Sequence, residues 1–205
     1  MGEVYALEFI WFIVVIALLT GFAILDGFDL GVGIFHLFSK KDEERRLMLN
    51  SIGPVWDGNE VWLVTAGGAL FAGFPHVYAT LCSAFYFPFI LLLTGIIFRA
   101  VAIEFRSKQP MAWWRWTWDV LFSFASLVIS LGLGIVMGNL IAGIPIDQHK
   151  EFFGDFTSLL HPYAFLVGML TVALFAMHGI IYLLMKTEKE LHEKMRSWVN
   201  PSIIL

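Results

Sequence analysis

The sequence predicts an all-α fold, a polytopic transmembrane helix bundle made of a four-helix bundle plus at least one further span. Of its 205 residues, 59% are hydrophobic and only 15% are charged, and the mean hydropathy is +0.77. Soluble domains carry roughly 45–50% apolar and about 25% charged residues. Five apolar stretches are long enough for a membrane span, which needs about 20 residues. The composition therefore indicates an integral membrane protein.

The five predicted spans form a single transmembrane region over residues 1–205. They lie at about 8–37, 55–74, 77–99, 118–140 and 162–185. The first would measure about 45 Å as a helix, against ~30 Å of hydrocarbon, so it must tilt or project into water. It has no cleavage site of small residues, so we expect it to stay in the mature chain. A new apolar run opens at Pro201, and we interpret the 205 residues as the N-terminal part of a longer chain with a second helix bundle.

The positions of lysine and arginine predict the orientation of these spans. With the spans drawn as above, every lysine and arginine except Lys150 falls on one side of the membrane. Basic loops stay in the cytoplasm, so the N-terminus is predicted to lie outside. This topology already accounts for the basic residues, and none of them forms a patch interleaved with aromatics that would indicate nucleic-acid binding.

Small residues recur at helical spacing in two of the spans. Gly27 and Gly31 stand four apart in the first span, and Gly134 and Gly138 repeat that spacing in the fourth. Such a spacing lets two membrane helices approach closely. A backbone break beside a cavity is the alternative for the glycine-rich end of the first span.

Six ionisable residues lie inside or at the ends of the predicted spans, nearly all near the cytoplasmic face. They are Asp26, Asp29, Asp57, Glu60, Arg99 and Asp119. A charge at the bilayer centre costs at least ~2.5–3.5 kcal/mol on insertion scales, so such residues usually pair or carry a function. Asp26 and Asp29 share one helix face at i, i+3, and Asp57 and Glu60 repeat that spacing.

Two interpretations of these charges remain open at this point. In the first, Arg99 pairs with one or two carboxylates and holds the helices together. In the second, the carboxylates carry protons inward, because removal from water favours the protonated form of a carboxyl group. Asp57 is the preferred carrier in that case, since Trp56, Gly58 and Asn59 give it a bulky, a small and a hydrogen-bonding neighbour.

The sequence predicts neither a metal site nor a cofactor ligated by this chain. Cys82 is the only cysteine, which excludes an internal disulfide and a thiolate cluster. Haem iron is often held by histidine, but His178 has no second histidine at a similar depth to pair with. We therefore expect His178 to be a hydrogen-bonded histidine within the bundle.

Several motifs of the chain are specific when taken together. The most specific block is Trp56-Asp57-Gly58-Asn59. The others are Gly21-Phe-Ala-Ile-Leu-Asp-Gly-Phe-Asp-Leu-Gly-Val-Gly33, Phe98-Arg-Ala, Glu104-Phe-Arg-Ser-Lys108, Trp118-Asp119 and Gly138-Asn139. Together they resemble subunit II of the cytochrome bd-type quinol oxidases, and the resemblance covers most of the chain. Family members run well beyond this length, so the sequence is either the N-terminal part of such a subunit or a shortened relative.

The resemblance implies a role in an oxidase that oxidises quinol and reduces oxygen to water. In that family subunit I holds haem b and haem d and the quinol site, whereas subunit II holds no haem. Subunit II supports the complex and contributes a proton path from the cytoplasm towards the oxygen-reducing haem. In some members it also holds a structural quinone.

The same resemblance implies partners and a location. Subunit I is the expected partner, with small single-span accessory subunits and membrane lipid as further candidates, in a bacterial or archaeal cytoplasmic membrane. On this interpretation Asp57, Asp26 and Asp29 form the proton relay, shaped by Asn59 and Trp56, with Glu60, Arg99 and Asp119 as charge partners or entrance residues. The rival hypotheses are a proton- or cation-coupled transporter and a purely structural subunit.

Overall fold

The computed structural model describes residues 2–204, with side chains described for residues 6–200. Over this range the chain forms eight α-helices and no β-strand beyond one isolated bridge, so the all-α prediction is confirmed. The helices are α1 (Gly2–Phe35), α2 (Asp42–Ile52), α3 (Trp56–Gly73), α4 (Pro75–Ala84), α5 (Tyr86–Phe105), α6 (Ala112–Ala142), α7 (Pro162–Lys186) and α8 (Lys189–Ile204). Short 3₁₀ turns follow α1 at His36–Phe38 and α5 at Arg106–Lys108.

Helix α1 is the central element of the bundle. It is continuous over 34 residues, which corresponds to about 51 Å at 1.5 Å per residue, so no backbone break interrupts its glycine-rich end. It packs against α3, α6 and α7, while α6 also packs against α5. The amphipathic helices α2 and α8 cover the end of the bundle where α1 ends, around buried Met48, Ile52, Leu183 and Met195.

Four stretches are long and apolar enough to cross a membrane. They are Ala6–Phe38, Tyr86–Lys108, Ala112–Ala142 and Pro162–Lys186. The predicted second span, 55–74, corresponds to α3, which has 18 residues and opens with the polar residues Asp57, Asn59 and Glu60. On length and composition, α3 is not among these four candidate spans. Its crossing of the membrane therefore stays a prediction.

The third span differs from its predicted bounds of 77–99. The backbone leaves the helical conformation at Phe85, with φ −103° and ψ 26°, and this divides the apolar run into α4 and α5. The candidate span in this region runs from Tyr86 to Lys108, so its bounds lie later in the chain than 77–99. Hydropathy alone could not reveal this break, because the apolar sequence continues through it. As a result Arg99 lies within its span and not at its end.

Glycine permits the close packing of α1 against α7. A Cβ atom on Gly31 would collide with the main chain at Phe175 and Gly179, and a Cβ atom on Gly179 would collide with the main chain of Gly31. Gly134 on α6 packs in the same way against Gly168 on α7. These contacts agree with the prediction that glycines four residues apart allow two helices to pack closely.

Candidate functional site

Charged and polar side chains, most of them buried or partly buried, gather in two groups. The first group, called here the Arg99 cluster, consists of Asp26, Asp29, Asn59, Glu60 and Arg99. The second, called here the Asp119 cluster, consists of His36, Asp42, Arg45, Arg106 and Asp119. Arg99 and Arg106 stand two helical turns apart along α5 and its 3₁₀ extension, about 10 Å at 1.5 Å per residue. The two clusters therefore occupy different depths, with the Asp119 cluster nearer the end of the bundle where α1 ends.

The centre of the Arg99 cluster is a bidentate ion pair between α5 and α1. Arg99 donates from Nη1 to Asp26 Oδ2 at 2.9 Å and from Nη2 to Asp26 Oδ1 at 2.5 Å. Both residues are only 1% exposed. Bidentate arginine–carboxylate pairs are among the strongest hydrogen-bonded contacts in proteins. The structure thus contains the helix-holding pair that the sequence offered as one interpretation of Arg99.

Asp29 connects this pair to α3. It is fully buried, and its Oδ2 lies 4.0 Å from Arg99 Nη2. Asn59 on α3 donates from Nδ2 to Asp29 Oδ2 at 2.7 Å and also to the carbonyl of Leu25 at 3.2 Å. Asn59 therefore fastens α3 to α1 and holds one oxygen of the Asp29 carboxylate.

Glu60 and Asp57 extend the cluster towards the surface of α3. Glu60 is partly buried and faces the charges of Arg99, Asp26 and Asp57. Asp57 is exposed, whereas the sequence interpretation required a desolvated carboxylate there. The reason is helical geometry: two residues rotate by about 200°, so Asp57 points away from α1 when Asn59 points towards it. Trp56, partly buried, begins the helix beside them.

Asp119 on α6 collects donors from three other segments. Its Oδ1 accepts from Arg106 Nε at 2.5 Å and contacts His36 Nε2 at 2.5 Å. Its Oδ2 accepts from Arg106 Nη2 at 3.1 Å and from Arg45 Nη1 at 3.2 Å. Asp119, Arg106 and His36 are all at most 1% exposed. This arrangement ties α1, α2, α5 and α6 together at one point.

Arg106 also links this cluster to the surface. Its Nη2 donates to Asp42 Oδ1 at 2.7 Å, and Arg115 donates to the other oxygen of Asp42 at 2.9 Å. Arg45 lies with its guanidinium 5.1 Å from the ring centroid of Trp116. The Asp119 cluster is therefore an extended network of arginines and carboxylates that reaches the half-exposed Asp42.

The structure brings together most, but not all, of the predicted site residues. Asp26, Asp29, Asn59, Glu60 and Arg99 converge in one cluster. Asp119 belongs to the other cluster, where its partners are Arg106, Arg45 and His36 instead of Arg99. Arg106 was not among the predicted site residues; it entered only as one of the cytoplasmic basic residues and within the motif Glu104-Phe-Arg-Ser-Lys108. The seven-residue spacing from Arg99 could have revealed it, because seven residues are close to two full turns of a helix.

The described residues offer little for a metal ion. Among side chains 6–200, no group of three or more His, Cys, Asp or Glu is arranged to hold one. His178, expected to be hydrogen-bonded, instead meets Phe28 edge-on at 5.7 Å between ring centroids. It lines a cavity of about 480 Å³ between α1, α6 and α7, with Thr20 and Met137 also in its wall.

Comparison with known proteins gives a consistent result. The family profile for cytochrome bd terminal oxidase subunit II matches residues 7–205. The cytochrome bd-I ubiquinol oxidase subunit 2 of Escherichia coli K12 is 45% identical over 202 residues, which cover 96% of this chain and 53% of that protein. The cytochrome bd ubiquinol oxidase subunit 2 of Bacillus subtilis is 39% identical over 192 residues, covering 93% and 57% respectively. The chain thus spans just over half the length of these relatives.

A solved structure gives the same fold. The bd oxidase from Geobacillus thermodenitrificans contains a chain that superposes with a TM-score of 0.75 at 20% identity, covering 97% of this chain and 61% of that one. At this identity the likeness supports the fold alone, while the family profile extends over nearly the whole sequence. The chain belongs to the cytochrome bd terminal oxidase subunit II family.

Proposed function

We propose that this chain acts as the non-haem subunit of a bd-type quinol oxidase. In this role it supports the haem-bearing subunit I and conducts protons from the cytoplasm towards the oxygen-reducing haem. Haem b and haem d belong to the partner, and quinol is the electron donor. The relatives are named ubiquinol oxidase subunits, which supports the assignment. The proposed catalysis belongs to the assembled oxidase and not to this chain alone.

The observation that carries proton conduction is the position of Asp29. This carboxylate lies fully buried inside the bundle, and Asn59 ties it to α3. Glu60 follows Asn59 on α3 and is partly buried. Asp57, about one turn before Glu60 on the same helix, is exposed. Proton relays in membrane proteins are commonly built from such acidic chains. The order Asp57, Glu60, Asp29 runs from the surface of α3 to the interior of the bundle.

The charge balance of the Arg99 cluster supports the same role. Three carboxylates, Asp26, Asp29 and Glu60, surround a single guanidinium. The bidentate pair with Arg99 uses both oxygens of Asp26, and Asp29 approaches the same guanidinium only at 4.0 Å. Asp29 and Glu60 therefore have no cation of their own in this cluster. Because buried charge without a partner is costly, these two carboxyl groups are the members best suited to bind and release a proton.

The test replaces Asp29 by asparagine in the intact oxidase. The side-chain amide introduced by Asp29→Asn would still accept the hydrogen bond from Asn59 but could not bind a transferable proton. Oxygen consumption and proton uptake should fall strongly, while the haem absorption spectrum stays unchanged. Glu151→Gln in the loop between α6 and α7, where Glu151 is exposed, is the matched control. Full activity of the Asp29→Asn oxidase would contradict proton conduction through Asp29 and leave a purely structural role for this chain.

The remaining expectations concern surroundings and partners. The matched relatives are bacterial, so we place the chain in the bacterial cytoplasmic membrane, and the archaeal alternative has no support among them. A structural quinone, small accessory subunits and bound lipid stay predictions. The transporter alternative is not favoured, because family membership links the chain to oxidase subunits.

A further inference from the structure

A cavity of about 180 Å³ lies between the first turns of α5 and the second half of α6. The two helices touch at Gly95, where an added Cβ atom would lie 2.9 Å from Ile129 Cγ1, and they leave a gap on the side of this contact towards Pro88. Gly132 lines the gap, and a Cβ atom there would meet nothing within 4 Å among the described residues. The side chains of the two helices therefore leave this space unfilled.

A 3₁₀ turn at Phe156–Leu159 closes one end of the cavity. Leu159 is buried, and its carbonyl accepts a hydrogen bond of 2.8 Å from Asn139 Nδ2 on α6. The ring of Phe156 meets Phe87 of α5 edge-on, with 5.1 Å between ring centroids. The turn is thus attached to both helices and covers the cavity where α5 begins.

The cavity also reaches the side of the bundle. Leu91 on α5 lines it and is 42% exposed. Leu91 belongs to the candidate span Tyr86–Lys108, so it lies at the level of the hydrocarbon in a bilayer. Ile90 and Leu93, close to it on α5, are also exposed and apolar. The mouth of the cavity is therefore continuous with the apolar surface of a membrane-spanning helix.

The lining requires a ligand without polar groups. Among the described residues, every side chain that lines the cavity is apolar. A carbonyl or hydroxyl group buried there without a hydrogen bond would cost free energy, which disfavours a peptide segment or a quinone ring. Water is disfavoured as well, because an apolar cavity of about 150 Å³ stays dry and binds benzene instead. A hydrocarbon chain has no hydrogen bonds to lose.

We propose that this space, called here the α5–α6 cavity, binds an acyl chain of a membrane phospholipid. The chain enters from the side of the bundle past Leu91 and lies against Gly132, below the turn at Phe156–Leu159. An unfilled cavity deprives its lining of dispersion contacts, so a bound chain stabilises the packing of α5 against α6. The site stands on the shape and chemistry of the cavity and is independent of the proposed proton conduction.

The direct test is a pair of structures of the intact oxidase in bilayer discs. One disc contains a phospholipid with brominated acyl chains, and the other contains the same phospholipid without bromine. The expected result is elongated density in the α5–α6 cavity and a bromine peak there in the difference map. An empty cavity, density without a bromine signal, or a side chain of a partner subunit in the cavity would overturn the proposal.

A variant that fills the cavity gives a second test. Gly132→Leu places a side chain in the open space, so the bromine peak should disappear. After removal of lipid, added phospholipid should raise the unfolding midpoint of the Gly132→Leu oxidase by less than that of the parent. Leu127→Phe is the matched control, because it adds bulk to an exposed position of α6 that does not line the cavity. It should keep the bromine peak and the full rise in midpoint.

A bromine peak or a rise in midpoint that is equal in Gly132→Leu and the parent would contradict the proposal. If the Gly132→Leu oxidase does not assemble, the difference map of the parent oxidase decides.

Discussion

Arg99 on α5 and Asp26 on α1 form a bidentate ion pair across 73 residues of sequence, with both side chains almost fully buried. The pair joins two helices whose remaining contacts are few, since α5 packs mainly against α6. Burying two charges is expensive, and the geometry of the pair has to offset that cost. The structural and functional interpretations of the intramembrane charges therefore apply to different members of one cluster. Asp26 neutralises Arg99, and under the proposed function Asp29 and Glu60 are the members that bind protons.

Removal of one partner of this pair should destabilise the subunit. Asp26→Asn leaves the Arg99 guanidinium buried without its counter-ion, and breaking a buried pair in this way costs about 3–5 kcal/mol. The double variant Asp26→Leu, Arg99→Met should recover much of the loss, because neither charge remains. The measurement is the midpoint of thermal unfolding of the solubilised oxidase. As a control, Lys41→Met removes the exposed pair with Glu190 and should leave the midpoint unchanged. A double variant as unstable as Asp26→Asn would contradict this account.

Arg106 should not tolerate replacement by lysine. Its guanidinium contacts both oxygens of Asp119 and one oxygen of Asp42, and a lysine ammonium cannot reproduce this planar fork. Arg106→Lys leaves a buried acceptor unsatisfied, which costs about 1–3 kcal/mol. Chemical denaturation of the purified complex would measure the loss. Lys108→Arg in the same 3₁₀ turn, where the side chain is exposed, should have no effect. If Arg106→Lys were as stable as the parent, a positive charge alone would suffice to hold Asp119 and Asp42 at this position.

The helical fold and most residues of the Arg99 cluster could be predicted from the sequence. Apolar runs of about 20 residues predict helices in a bilayer, because a helix satisfies its own backbone polar groups and a membrane strand needs only about 9–11 residues. Asp26 and Asp29 share a face at i, i+3, and an opposite charge inside the same membrane region offers the obvious partner. Arg99 could therefore be predicted as the partner of these carboxylates, although the predicted bounds of its span differ from those of α5.

The partners of Asp119 and the exposure of Asp57 were not predicted, for two different reasons. Arg106 and His36 stand seven residues beyond Arg99 and Asp29, a spacing that places each on the face of its predecessor. That signal was present, but Arg106 was counted only among the cytoplasmic basic residues, and His36 was not paired with a carboxylate. The orientation of Asp57 depends on which face of α3 meets α1. Because Asn59 makes that contact, the outcome is set by packing and not by local spacing.

Asp57→Asn should have a smaller effect than Asp29→Asn. Asp57 is exposed, so water can deliver protons to Glu60 in its place, whereas no such bypass reaches the fully buried Asp29. We expect the rate of oxygen reduction in Asp57→Asn to fall by less than about tenfold, or about 1.4 kcal/mol in activation free energy. Proton uptake after a pulse of oxygen would measure this. A complete loss in Asp57→Asn with intact haem spectra would make Asp57 an obligatory entrance.

Gly31→Ala should separate α1 from α7. A Cβ atom at residue 31 would collide with the main chain at Phe175 and Gly179, and a main chain cannot move aside as a flexible side chain can. Overpacking of this kind costs typically about 1–3 kcal/mol, which outweighs the gain of up to ~1 kcal/mol that alanine brings to a helix interior. The unfolding midpoint should therefore fall. Gly132→Ala on α6 is the matched control, because a Cβ atom there meets nothing within 4 Å, so its midpoint should hold or rise. A Gly31→Ala subunit as stable as the Gly132→Ala subunit would show that α1 and α7 can move apart at little cost.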